Sequence, residues 1–304
     1  MTASISPSCS LSQLHLLLTG ECNFECDHCF VWGGPTQRNT MTQQTIEHIL
    51  GQAGELGSIE WIYFEGGEPF LDYQLLLWAV QLAKQSGFKV GIVSNAYWAT
   101  SSAKAIELLR PFSGVVEDLS ISDDAYHGCK EGPRETTTAR QAAEQLGIPV
   151  DFISISGPDA QDGCRQSADD ESSVCYRGRA AVKLAPLAQH KAWNLFTECP
   201  WEDLRNPGRV HVDSLGNMHI CQGLSIGNLI QRPLAEIMQD YDPDTHPVIG
   251  PLLSGGPVEL VEKYALDHEG AYADACHLCY LSRAKLRDRF PGVLTLGQMY
   301  GSEE

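Results

Sequence analysis

The chain reads as an α/β protein built on a parallel sheet, and three observations carry that reading. Short β-branched and aromatic runs alternate with helical apolar spacings, the links between them are brief, and residues with chemical potential follow the strand-like runs. Alternation of this kind implies parallel strands joined by right-handed crossovers. Periodicity leaves open whether the sheet is doubly wound or curls into a closed or partial barrel.

Taken in order, residues 14–18 form a buried strand that delivers a cysteine-rich loop at its C-terminal end. In residues 42–56, Ile46, Ile49, Leu50, Ala53 and Leu56 recur at helical spacing, and Gly57 ends the helix. Residues 59–64 are the next strand. Asp72 caps a helix running to Ser86, stopped by Gly87, before a strand over 88–93. Thr100 or Ser101 caps a helix that ends before Pro111, and 115–121 follows as a strand. Residues 135–146 are helical, with Ala139, Ala142, Ala143 and Leu146 on one face and Gly147 closing it. The fifth strand is 150–155, and 181–184 is a candidate sixth. The polar stretch 157–179 reads as a long loop suited to a lid or a substrate contact. From Cys199 the rhythm stops, so a boundary falls between 187 and 198, separating residues 1–190 from residues 191–304.

At 304 residues the chain can bury a large core with a small appendage, and its formal charge of −18 argues against nucleic acid as substrate. Eleven cysteines are too many for an ordinary core, and the chain is too long for a small disulfide scaffold. The first Lys or Arg is Arg38, so no charged segment precedes the apolar run at 14–18, and no stretch is long enough to span a membrane. The expected compartment is the cytoplasm, where thiols stay reduced.

The most informative feature is the run Cys22-Asn-Phe-Glu-Cys26-Asp-His-Cys29. Three thiolates from one short loop can hold a four-iron cluster with one iron open for a small molecule. Zinc with His28 as fourth ligand, or a plain electron-transfer cluster, are the competing readings. After the second strand comes Glu65-Gly66-Gly67-Glu68-Pro69, where paired glycines let backbone approach a ligand and Glu68 adds an acceptor. Ser94-Asn95 follows the third strand; Ser122, Asp123, Asp124 and His127 follow the fourth, where a surface-loop histidine is the plain reading of His127. Near the end, Gly216 five residues before Cys221 suggests a hairpin presenting a thiolate. Cys276 and Cys279 form a Cys-x2-Cys pair before a helix over 281–289. With Cys199 these make a four-cysteine set, for which zinc and redox chemistry stay open.

Together, the cysteine loop and the Gly-Gly-Glu-Pro turn resemble the radical S-adenosylmethionine (radical SAM) superfamily, with His28 where an aromatic is usual. The resemblance implies a partial (β/α)6, TIM-like barrel. It implies a [4Fe–4S] cluster on Cys22, Cys26 and Cys29 whose open iron chelates S-adenosylmethionine. Gly66, Gly67, Glu68 and Pro69 would then lie at the cofactor's amino group, Ser94 and Asn95 near the ribose, and Ser122 and Asp123 near cofactor or substrate.

Arg177-Gly178-Arg179-Ala180 resembles an element that precedes the C-terminal cluster domain of relatives, where its arginines could bind a carboxylate or phosphate or simply make salt bridges. Cys199, Cys221, Cys276 and Cys279 resemble the ligands of a Twitch domain, the short form of SPASM, with one auxiliary [4Fe–4S] cluster.

The implied activity is reductive cleavage of S-adenosylmethionine to a 5′-deoxyadenosyl radical, hydrogen abstraction, and oxidation or cyclisation of a small molecule with the auxiliary cluster as electron acceptor. The alternative is crosslinking or thioether maturation of a precursor peptide, which the short stretch before the cysteine loop makes less expected; a non-catalytic iron–sulfur or zinc protein is the third reading. An electron donor such as flavodoxin or ferredoxin is implied. Cys164, Cys175, Asp123 and His127 are the candidate catalytic residues, while Cys9 and Cys129 have no assigned role.

Overall fold

The computed structural model describes residues 11–127, 135–157 and 172–302. Its first half alternates strand and helix: β1 (Gln13–Thr19), α1 (Gln43–Leu56), β2 (Trp61–Gly66), α2 (Tyr73–Gln85), β3 (Lys89–Ser94), α3 (Ser102–Leu109), β4 (Asp118–Ser122), α4 (Glu135–Gln145) and β5 (Val150–Ile153). The second half holds α5 (Ala180–Lys183), β6 (Lys191–Ala192), β7 (Arg209–Val212), β8 (Asn217–Cys221), β9 (Leu224–Asn228), α6 (Leu234–Asp240), α7 (Ile249–Tyr264), β10 (Ala271–Tyr272) and α8 (Ala275–Lys285). One sheet runs in the order β5-β4-β3-β2-β1-β7-β8-β9, parallel from β5 to β7 and antiparallel thereafter, while β6 and β10 pair separately. This is the mostly parallel α/β sheet expected of a radical SAM barrel.

The helix starts follow from capping chemistry. Side chains of Thr42, Asp72 and Ser101 accept bonds from the backbone N–H of Thr45, Leu75 and Lys104. Leu14, Leu16 and Leu18 of β1 pack with Ile62, Phe64, Val90, Ile92, Leu119, Ile121, Val210 and Val212 from neighbouring strands, beneath Ile46, Ile49, Leu76 and Val80 of the helices. Side chains alternate across a strand, so His15, Tyr63, Glu65, Asp118, Ser120 and His211 share the other face of the sheet. One face is oily and covered; the other is polar.

Residues 181–184 are not a sixth strand: they lie in α5, where Val182 and Lys183 N–H bond back to the Arg179 carbonyl. Alanine's helix preference decides a run too short for periodicity to settle. The additional parallel strand is β7, which pairs with β1 in the register His15 to His211. The strands expected at 115–121 and 150–155 are shorter, at Asp118–Ser122 and Val150–Ile153. The helix expected at 281–289 begins earlier and ends sooner, because the Asp274 side chain accepts from His277 N–H and starts α8 ahead of Cys276. The expected loop 157–179 lies largely outside the described residues.

At the start of α7, His246 Nδ1 accepts from the N–H groups of Val248 and Ile249 at 3.2 and 3.0 Å, and burial lowers its pKa to about 4. The unfolded chain takes up a proton near pH 6.5 that the folded chain refuses, so this stabilisation is complete above that pH and declines as pH falls toward 4. Thermal melts should show roughly 1–2 kcal/mol lost between pH 7 and 5 through this group, and less in His246→Asn. An equal loss in both proteins would contradict the assignment.

Candidate metal centres

The loop that follows β1 gathers three free thiols, with Cys22 and Cys26 buried and Cys29 half-buried. Donors already face the sulfurs: Phe24 N–H lies 3.4 Å and Asn95 Nδ2 3.7 Å from Cys22 Sγ, and Gly33 N–H lies 3.3 Å from Cys29 Sγ. Burial pushes the Cys22 thiol up to about 12 and Cys26 higher still, and the neighbouring thiols add to both shifts. Thiolates packed this way ionise only against a cation, which bound iron supplies. The donor set therefore fits a three-thiolate cluster.

Two clamps hold this loop. Gly67 N–H bonds to Thr19 O, Glu68 N–H bonds to Glu21 O, and a Cβ at Gly67 would stand 2.0 Å from the Glu21 oxygen. The paired glycines thus admit the cysteine loop's own backbone. The second clamp is Arg179, a buried guanidinium that donates to Cys26 O at 2.8 Å and Gly33 O at 2.7 Å, while its N–H reaches Cys29 O. Gly178, at φ +60°, packs where a Cβ would meet Cys29 O and Phe30 at 2.6 Å. Among the described residues no carboxylate pairs with Arg179; its guanidinium donates to backbone carbonyls.

Glu68 is fully buried and its carboxylate is engaged by Ser94 Oγ, Phe70 N–H and Asn95 N–H. Burial raises its pKa to about 7 against those three donors. Pro69 opens a short 3-10 turn behind it. Glu68 thus ties the second and third strand ends together, and Asn95 Nδ2 carries the tie on to Asn23 and Cys22. Ser122 ends β4; Asp123 N–H bonds to Ile153 O, and its carboxylate accepts from Thr136.

His127 is not a surface histidine. Its Nδ1 lies 2.8 Å from Asp124 Oδ1, and His28 Nε2 lies 3.2 Å from Asp124 Oδ2. Burial favours a neutral Asp124, but the two imidazoles outweigh it and hold the carboxyl below its usual range. Tyr126 stacks on His28 at 4.7 Å, so the imidazole does pack as a flat ring.

Cys199, Cys221, Cys276 and Cys279, all free, line one cavity together with Arg177, Glu202 and Arg283. Gly216 turns β7 into β8, which ends on Cys221, and the first turn of α8 puts Cys276 and Cys279 three residues apart on one helical face. Burial raises Cys279 to about 12 and Cys276 well above the ordinary thiol value. Arg283 is buried, with Nη1 on Gln222 O and Nε left without a hydrogen-bond partner. Four thiols beside a guanidinium with an unused donor fit an anionic iron–sulfur group. Cys175 is disulfide-bonded, so it offers no free thiol here; Cys9, Cys129 and Cys164 lie outside the described residues.

A further polar group escaped the sequence reading. His15 Nδ1 and His211 Nε2 approach Glu65 Oε1 at 3.2 and 3.0 Å, and Tyr63 stacks on His15 at 4.5 Å. Burial opposes ionisation of Glu65, but His211 and His15 overcome it and hold the carboxyl well below its usual range. The available signal was a histidine inside an otherwise apolar strand, two residues out of step with no charge nearby in sequence. Its partners come from strands 50 and 196 residues away, and no spacing reveals that.

The α/β sheet presents three thiols in the loop after its first strand, an arrangement that fits an iron–sulfur site. Residues 16–128 match the Radical SAM superfamily. For the matched region that family implies a [4Fe–4S] cluster and S-adenosylmethionine.

The putative peptide biosynthesis protein YydG of Bacillus subtilis (strain 168) is 32% identical over 111 residues, covering 36% of this chain and 35% of that protein. An S-adenosylmethionine-dependent nucleotide dehydratase of Thermoplasmatales archaeon (strain ISO4-H5) is 34% identical over 112 residues, 37% of each chain. The matched stretch thus spans about a third of these curated relatives. Among solved structures, BtrN in complex with AdoMet and 2-DOIA superposes with a TM-score of 0.49 at 15% identity, covering 76% of this chain and 82% of that one.

The clamp makes a specific prediction. Each buried charge-assisted bond of Arg179 contributes on the order of 1.5–3 kcal/mol, so Arg179→Ala should loosen the cysteine loop selectively. Iron analysis after anaerobic reconstitution should find a loss of about four irons, one cluster's worth, with the C-terminal set still loaded. Full iron content in that variant would refute the clamp.

Proposed function

We propose that Cys22, Cys26 and Cys29 hold the S-adenosylmethionine-binding cluster and that Cys199, Cys221, Cys276 and Cys279 hold an auxiliary [4Fe–4S] cluster, in domains bounded near residue 190. When bound, the first cluster and its cofactor supply a 5′-deoxyadenosyl radical for abstraction of a substrate hydrogen atom. The auxiliary cluster supplies an electron acceptor, so the net reaction is oxidation or cyclisation of a small molecule. The observation that carries this reading is the convergence of four cysteines, with Cys221 and Cys276 55 positions apart in sequence, on one cavity that also contains Arg177 and the buried Arg283.

The chain's own residues act by positioning. Gly66, Gly67 and Glu68 fix the cysteine loop against β2, Ser94 and Asn95 lock β3 to it, and the polar face bearing His15, Glu65, Asp118 and His211 lies beside them to receive a polar substrate. Asp123 and His127 remain candidates for substrate contact at the end of β4. Close placement matters because hydrogen abstraction requires near-contact geometry. A flavodoxin or ferredoxin would deliver the reducing electron, in the cytoplasm. Among the described residues no helix is long and apolar enough to cross a membrane.

A second reading is maturation of a precursor peptide by a crosslink or thioether. The similarity to a protein described as a putative peptide biosynthesis protein favours it. A small precursor-peptide gene beside this one would decide for the peptide; genes for sugar or cofactor enzymes would decide for the small molecule.

The reconstituted chain should hold about eight irons, two four-iron clusters, and form 5′-deoxyadenosine from S-adenosylmethionine under strong reduction. Cys26→Ala should abolish that product, read by chromatography. Product formation that survives Cys26→Ala, or none from the fully loaded wild type, would refute the proposal.

A further inference from the structure

The stretch Arg177-Gly178-Arg179 touches both cysteine sets, and its two arginines divide the work. Arg179 holds carbonyls of the N-terminal cysteine loop. Arg177 faces the other way: its Nη1 donates to Glu202 at 2.9 Å and lies 3.3 Å from Cys221 Sγ, inside the cavity of the four C-terminal cysteines. Its guanidinium also lies 6.0 Å above the ring of Phe30, the residue after Cys29, and that ring meets His211 at 6.0 Å. Arg177 and Glu202 are both largely shielded from water, with side chains 17% and 14% exposed.

We propose that the Arg177–Glu202 ion pair sets the reduction potential of the auxiliary cluster, with Arg177 raising it and Glu202 lowering it. This rests on the reading that the four cysteines hold such a cluster.

The effect is electrostatic. A cluster on four thiolates is anionic, and reduction adds one more negative charge to it. A cation fixed in a water-poor cavity stabilises the reduced form more than the oxidised form, and an anion does the reverse. The direct N–H to sulfur contact of Arg177 acts in the same direction, since it withdraws charge from the Cys221 ligand. Glu202 lines the same cavity but bonds to Arg177, so it tempers the cation. Removing Arg177 therefore has two consequences of the same sign: the positive charge goes and an unpaired carboxylate stays. Removing the charge of Glu202 exposes the full cation.

Two charges on one pair thus make predictions of opposite sign, which a merely structural role for either residue would not produce. Arg177 is a positioning and charge-setting residue here; nothing places it on the reacting atoms.

The test uses the full chain carrying Cys22→Ala, Cys26→Ala and Cys29→Ala, so that only the C-terminal set is loaded. Anaerobic redox titration followed by electron paramagnetic resonance reads the midpoint potential. In that background Arg177→Gln should make the cluster harder to reduce by at least about tenfold in the equilibrium, ~59 mV for a one-electron couple. Glu202→Gln should make it easier to reduce, and Arg177→Lys should stay near the parent.

Opposite shifts support the proposal. A loaded cluster whose potential moves in neither variant, or in the same direction in both, overturns it while leaving the auxiliary cluster in place. If Arg177→Gln fails to assemble, Glu202→Gln decides alone, since it keeps the arginine and must still shift the potential upward. A parent protein that binds zinc or no metal at the four cysteines overturns the underlying reading and this inference with it.

Discussion

A loop bearing three thiols has almost no regular structure of its own, so its shape must be imposed from outside, and the buried guanidinium of Arg179 does most of that. It bonds to Cys26 O and Gly33 O, on either side of Cys29, and its own backbone N–H reaches Cys29 O. A guanidinium is always charged and presents several donors in a rigid fork. It can therefore close the loop at fixed geometry in a way that an apolar contact cannot. The turn at Gly67 opposes it from the β2 side, through contacts too close for any side chain. The geometry of the cysteine loop thus depends on residues more than a hundred positions apart.

The same element explains why the two halves form one machine. β7 adds beside β1, so the strand leading to the first cysteine set and the hairpin leading to Cys221 share a sheet. Arg177 and Arg179 then stand two residues apart in sequence with one at each set. Phe30 contacts both Arg177 and His211, which places an aromatic ring where the cysteine loop, the cavity of the four later cysteines and the polar sheet face meet. Both imidazole–carboxylate groups, His15–Glu65–His211 and His28–Asp124–His127, flank the same region.

Legibility of the fold varied with the range of the interaction that decides each element. The caps at Thr42, Asp72 and Ser101 and the glycine stops act within a few residues, and the helices they bound were readable from the sequence. The short run at 181–184 was misread as a strand, because a four-residue run with three apolar members fits either period and the deciding bonds come from Arg179 and its neighbours. The start of α8 was placed too late because an N-cap aspartate ahead of a Cys-x2-Cys pair reads equally well as a ligand loop. His127 was expected at the surface; its partner Asp124 is three residues away, but only the fold brings His28 onto the same carboxylate.

By itself the sequence determined the chemistry available: three closely spaced thiols in one loop, a Gly-Gly-Glu-Pro turn, four later cysteines, and an alternating α/β pattern. Those are properties of residue type and local spacing, and local spacing is what a sequence states directly. Tertiary structure alone decided which groups meet. It put Glu68 to work as a tie between strand ends, turned Arg179 on the cysteine loop and Arg177 on the auxiliary cavity, and assembled His15, Glu65 and His211 from three strands. The physical reason is that a buried charge takes whichever partner the packed chain brings within about 3 Å, and sheet order, not sequence distance, governs that choice.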